Sequence, residues 1–259
     1  MRQFVWHQVD SPLHRLNPLT KLGLSLGVVA IVSFATTPLA PALVAALAIG
    51  TTVAVGRVPL GNVLRPMAFA AVFALGVCWT GVLFYVGPGS GPDAPAVWAG
   101  PPRITEAAVT YGITMGARLL AIFATSALFV LTTDPVELVL AMIHQARVPY
   151  RVGYAVFAAY RFMPLLQDEL GNIRAAHQMR GRTGGGGPVG TLREYAGYAI
   201  PLLAIAVRRA ERVALAMDAR AFGALPRRTY YRQTTVGFGD LMFAAVATAA
   251  LGAIVLYTT

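Results

Sequence analysis

Apolar residues fall into five long stretches along the chain, near residues 19–36, 40–56, 66–86, 110–132 and 236–257. A helix that crosses a bilayer takes about 20 such residues, within a range of roughly 17–25. The pattern therefore predicts five membrane-spanning helices, the second short and interrupted by Gly50. Between the fourth and fifth stretch the character changes. From Asp134 to Arg232, arginines recur throughout, and acids from Asp134 to Asp218 balance part of their charge. Two apolar runs inside this region, 152–159 and 195–207, are too short to span and read as faces of amphipathic helices. If both crossed, Arg174, Arg180, Arg182 and Arg193 would lie outside, against the rule that Lys and Arg stay on the cytoplasmic side.

Local punctuation sharpens this. Thr133-Asp134-Pro135 is a helix start, a capping residue followed by proline at the first helical position. Pro149 opens a second helix, which Pro164 should bend. Glycines 184–187 with Pro188 break the chain and form a joint, and 191–222 then reads as one long helix with Pro201 inside it. The expected organisation is an all-α polytopic membrane protein: residues 1–133 with four spans, 134–234 as long amphipathic cytoplasmic helices that couple to a partner, and 235–259 as a final span. Arg2, Arg15, Lys21, Arg57 and Arg65 mark the cytoplasmic side, whereas 87–102 carries Asp93 as its one acid and is rich in Pro and Gly. The amino end is then inside and the carboxyl end outside.

Composition agrees. Of 259 residues, 56 % are hydrophobic and 12 % charged, against about 25 % charged in a soluble domain. The net charge of +10 would suit nucleic acid, but in so apolar a chain it follows from the positive-inside bias. The amino end has no apolar core of a cleavable leader. Cys78 lies in an apolar run, and His7, His14, His144 and His177 are scattered without metal-ligand spacing, so neither a disulfide nor a metal or other cofactor is expected.

Candidate chemistry narrows the function. The single lysine, Lys21, does not follow a glycine-rich turn, and no lysine follows glycines 184–187, so the chain has no phosphate-cradling loop of its own. Asp240 is the one acid within the five stretches, which argues against an ion-coupled carrier. Arg118, roughly midway along the fourth, is an intramembrane charge and a functional candidate by that fact. An intramembrane enzyme has no nucleophile–base pair to support it. Met179-Arg180-Gly181 and Ala219-Arg220-Ala221 each end a predicted helix. Glycine past a helix end favours the left-handed cap, and a guanidinium at a helix tip suits a bidentate grip on a partner carboxylate.

Taken in order, Ser11-Pro12-Leu13-His14-Arg15-Leu16-Asn17-Pro18-Leu19-Thr20-Lys21-Leu22, Thr132-Thr133-Asp134-Pro135-Val136-Glu137, Tyr160-Arg161-Phe162-Met163-Pro164-Leu165, Pro201-Leu202-Leu203 and Arg208 to Phe222 resemble the transmembrane T component of energy-coupling factor transporters, the family of cobalt-transport and thiamine-precursor permease subunits. The resemblance covers nearly the whole length. It implies a non-catalytic coupling subunit of an ATP-driven importer in the bacterial cytoplasmic membrane. Its partners would be two ATP-binding cassette subunits and a small membrane subunit that captures a vitamin, vitamin precursor or metal ion. It also implies that two Ala-Arg-Gly-like signatures, here Met179-Arg180-Gly181 and Ala219-Arg220-Ala221, enter grooves of the two ATPases. Met179 and Ala221 depart from the family pattern. The alternative is a stand-alone ion-coupled secondary transporter, whose uptake would survive ATP depletion and fail when the proton gradient collapses.

Overall fold

Asn17 and Pro18 show how local chemistry starts an element. The Asn17 side chain accepts from the Leu19 amide at 3.0 Å, and Pro18 needs no donor at the first helical position. In this computed structural model, which describes residues 11–14, 16–89, 95–98, 104–181, 187–224 and 234–258, the described residues form eight helices and one two-stranded ribbon. They fall into two compact units, Met1–Ala141 with Thr234–Thr259, and Met142–Gln233.

The first unit contains α1 (Pro18–Ser33), α2 (Leu39–Ala54), α3 (Leu60–Leu83), β1 (Ala96–Trp98), β2 (Ile104–Thr105), α4 (Glu106–Thr132) and α8 (Phe238–Thr258). Of these, α3 and α4 are both long and apolar enough to cross a membrane, while α1 and α2 are apolar but only 16 residues each. Helix α3 starts six residues before the expected 66 and takes Pro66 into its body. The loss is one backbone bond, tolerated because a proline near a helix start disturbs few partners. Helix α4 starts at Glu106 because Thr105 caps it, accepting from the Ala108 amide at 3.3 Å. The ribbon, antiparallel with Ala96 opposite Thr105 and Trp98 opposite Ile104, lies where the sequence predicted only a loop.

Small residues bring α3 and α4 together. A Cβ added at Gly112 would lie 2.7 Å from the Cys78 carbonyl and 2.5 Å from Val82, and one at Gly116 would lie 3.2 Å from the Cys78 side chain. In lipid, where apolar burial does not drive helices together, such close backbone approach supplies the packing. Around it, Val58, Val63, Met67, Ala70, Ala124 and Leu131 form one core, and Val32, Val44, Ala121 and Leu251 a second.

A chain segment shared by both units forms α5 (Pro135–His144), whose start is capped as predicted: the Asp134 carboxylate accepts from the Val136 amide at 2.8 Å. The second unit holds α6 (Tyr150–Met179) and α7 (Pro188–Asp218). Helix α7 begins at Pro188, after Gly187 at φ 114, and its α-helical part closes at Asp218 because the final turn is used for the cap. Both helices continue through Pro164 and Pro201.

Contacts between α6 and α7 run in opposite senses. His177 meets Tyr198 edge-on at 5.1 Å, Arg174 stands over Tyr195 and Tyr198, Arg209 stands 6.0 Å over Phe162, and Tyr154 meets Phe222 at 4.9 Å. As α6 positions fall, α7 positions rise. The two helices therefore form an antiparallel hairpin stapled by aromatic and cation–π contacts.

Candidate functional site

Each arginine signature closes one helix of this hairpin, and each ends on a left-handed residue. At the end of α6, the Arg180 amide donates to Ala176 and His177, the Gly181 amide donates to Gln178, and Gly181 is left-handed at φ 69. At the end of α7, the Ala221 amide donates to Asp218 and the Phe222 amide to Met217, with Ala221 left-handed at φ 54. At α7 this pair of bonds is the Schellman pattern, which consumes carbonyls left over at a helix end. Each arginine therefore precedes a reversal of the chain, on the negative end of its helix dipole. Met179, Arg180, Gly181, Ala219, Arg220 and Ala221 are all exposed.

The hairpin does not bring the two arginines together. Phe222, just past Arg220, packs on Tyr150 and Tyr154 at the start of α6, and Arg151 reaches the Gly223 carbonyl at 3.3 Å. Arg180 lies at the other end of α6, roughly 40 Å away at about 1.5 Å per residue. Between the tips the contacts are polar as well as aromatic. The Tyr198 hydroxyl donates to the Glu194 carboxylate, and this bond, foremost, raises the phenol's pKa above its ordinary value.

Arg118 has a backbone partner. Its Nη2 donates to the Ala35 carbonyl at 2.7 Å and its Nη1 lies 3.6 Å from the Met115 sulfur, while Nε is enclosed without a partner. Ala35 follows the end of α1, so a cation midway along α4 stands level with the turn that leaves the shorter α1. It lines a cavity of about 780 Å³ with Ser33, Tyr85, Glu106 and Tyr111.

Sequence reasoning missed a buried polar knot in the first unit. Lys21, only 2 % exposed, donates from Nζ to the Leu13 carbonyl at 3.1 Å and to the Thr132 carbonyl at 2.8 Å. The Asp240 carboxylate accepts from the Asn17 amide and the Gly237 amide, each at 2.7 Å. These bonds tie the residues before α1 to the end of α4 and the start of α8. The available signal was that the lone lysine and the lone acid of the apolar stretches are both costly to bury unless partnered. Among the described residues no group of His, Cys, Asp and Glu could hold a metal ion.

A bundle of apolar helices, with a separate hairpin carrying two capped arginine tips, is matched by known proteins along the same length. Residues 10–231 match the family CbiQ, described as cobalt transport protein. The chain belongs to that family. The energy-coupling factor transporter transmembrane protein EcfT of Limosilactobacillus fermentum is 32 % identical over 238 residues, covering 88 % of this chain and 86 % of that protein. That of Heliobacterium modesticaldum is 30 % identical over 256 residues, covering 96 % and 92 %. A Bifidobacterium longum protein named as an ABC transporter ATP-binding protein is 29 % identical over 255 residues, covering 95 % of this chain but 32 % of its own length. As a CbiQ-family T component, the chain is the non-catalytic transmembrane coupling subunit of an energy-coupling factor transporter. The resemblance read from the motifs of the sequence is thereby borne out.

Proposed function

We propose that Arg180 and Arg220 are the points at which two ATP-binding cassette subunits grip this T component, one subunit at each end of the α6–α7 hairpin. The observation that carries the reading is the pair of exposed arginine tips, each followed by a left-handed residue, that lie at the two ends of α6 roughly 40 Å apart. That span exceeds the ~30 Å diameter of a small domain, which suits two partner bodies rather than one. Each guanidinium projects from a reversal of the chain and meets a partner carboxylate as a fork. The Bifidobacterium longum relative lends support, since a protein named for ATP binding contains a stretch like this chain and leaves 68 % of its length for other parts (100 − 32).

In this reading α1 to α4 and α8 are the five spans, with the amino end and the α5–α7 region cytoplasmic, as the arginine distribution asks. Exposed apolar side chains on α7, among them Leu192, Ile200, Leu203 and Leu215, form a surface for the small membrane subunit that captures cargo. That cargo is a vitamin, a vitamin precursor or a metal ion, chosen by the capture subunit. Closure of the ATPases on nucleotide pulls the tips, and the hairpin passes the displacement on.

The test is uptake into vesicles carrying the complete transporter. Arg180→Ala with Arg220→Ala should lower ATP-driven uptake by well over tenfold, because a partner carboxylate left unpaired at a desolvated contact costs about 2–5 kcal/mol. Membrane insertion should be unchanged. Wild-type rates in the double variant would refute the role, and uptake driven by a proton gradient without ATP would revive the secondary carrier.

A further inference from the structure

The crevice bounded by α1, α2, α4 and α8 has no part in the coupling just proposed. It holds about 230 Å³, and its walls are almost wholly aliphatic, with Leu24, Val28, Leu47, Val246, Ala250 and Leu251 among them. A second cavity of about 750 Å³ shares Phe243 and Val246 with it, so the two adjoin along α8. The second is different in character. Arg57 lines it, beside Ser11 and Asp240.

Arg57 is unusual in its backbone. It is left-handed at φ 52, a region that a side chain occupies only against steric resistance. The preceding Gly56 has no room for a Cβ, which would lie 2.4 Å from the Thr52 carbonyl. The tight turn after α2 thus sets an exposed cation on the wall of the second cavity, which adjoins the apolar slot, and among the described residues it has no hydrogen-bond or ion-pair partner. The nearby acid does not neutralise it by contact, because both Asp240 oxygens are engaged by the Asn17 and Gly237 amides.

We propose that one anionic glycerophospholipid occupies these adjoining cavities, an acyl chain in the aliphatic slot and its phosphate at Arg57. The slot is too small for a helix, which is about 10–12 Å across, and the polar side chains Lys21, Thr51 and Thr125 on its walls already donate to backbone carbonyls, which leaves water few partners. A hydrocarbon chain satisfies both conditions. The headgroup end lies on the side that the arginines at 57 and 65 assign to the cytoplasm, where anionic lipids are attracted by basic pockets between spans. A lipid wedged here fills the gap along which α8 meets α1 and α2.

The experiment is native mass spectrometry of the purified full chain, offered equal amounts of phosphatidylglycerol and phosphatidylcholine with identical acyl chains. Phosphatidylglycerol should be retained about fivefold over phosphatidylcholine, the preference expected of one cation near the surface. Arg57→Gln should bring that ratio near one, and Arg57→Lys should restore most of it. Ala250→Phe, which fills the slot, should lower retention of both lipids, with helical content checked by circular dichroism. Equal retention by the wild-type chain, or a ratio indifferent to Arg57→Gln, overturns the proposal. So does displacement by millimolar inorganic phosphate, which would assign Arg57 to a soluble anion. If Ala250→Phe abolishes association with the capture subunit and leaves lipid retention intact, the slot belongs to that subunit and the proposal fails. Retention is read without transport, so its failure is separate from that of the arginine tips.

Discussion

In the first unit, helices α3 and α4 approach until Gly112 leaves no space for a methyl group, and buried charges are spent on backbone partners: Lys21 on two carbonyls, Asp240 on two amides. In the second, α6 and α7 meet through aromatic rings and arginines, and Leu192, Ile200, Leu203 and Leu215 on α7 remain exposed. The first unit gives Lys21 and Asp240 backbone partners inside itself and exposes apolar side chains such as Phe69 and Leu75 on α3, whereas the second exposes apolar side chains and two arginine tips together. A subunit that must hold a place in lipid while passing on motion needs one part that resists change and one that accepts partners.

The contrast can be broken by substitution, most strongly in the first unit. Gly112→Leu should destabilise the bundle by about 3 kcal/mol, the upper range for overpacking, because the new side chain meets the Cys78 carbonyl and Val82 rather than a movable tip. Thermal unfolding of the detergent-purified chain would show this as a lowered midpoint, and an unchanged midpoint would contradict the close approach. Lys21→Met should cost about 2 kcal/mol by stranding the Leu13 and Thr132 carbonyls. Hydrogen exchange should quicken around the α4 end and stay level along α6 and α7.

In the hairpin the effects should be smaller and local. Phe222→Ala removes the contacts to Tyr150 and Tyr154 and should cost about 1 kcal/mol, seen as faster exchange in the last turns of α7 with no shift in the first unit. Ala221→Gly should go the other way, slowing exchange at that tip by less than about 1 kcal/mol. Relief of the left-handed strain is offset in part by the greater freedom of unfolded glycine. Faster exchange in that variant would mean that the alanine cap carries no strain.

What was legible in the sequence was what chemistry settles locally. Asp134-Pro135 announced α5 because a capping side chain acts within its own turn, and the signature at Arg180 fell at a helix end because Gly181 takes the left-handed conformation there. Distance in the chain hid the rest. Asn17 and Asp240 stand 223 positions apart, and nothing in either neighbourhood says that they meet. The reach of Arg118 to Ala35 depends on α1 being shorter than α4, a relation between helices that a position along one of them does not contain. Ala221 gave no sign of its backbone, since alanine ordinarily marks a helix interior. The same distance effect hid the antiparallel course of α6 and α7, and with it the separation of the two tips.

Pro164 and Pro201 each sit near the midpoint of their helix, and the register set by Phe162 against Arg209 and His177 against Tyr198 places them about two turns apart along the hairpin. Each removes one rung from its backbone ladder, so each strand of the rod yields most easily at its own proline, and the two weak points bracket the middle of the rod. Loads applied inward at the two extremities cannot shift such a rod sideways, because they cancel as translation; what they do is flex it at its waist. The central bow, not the travel of either extremity, is then the displacement available to whatever rests against the middle.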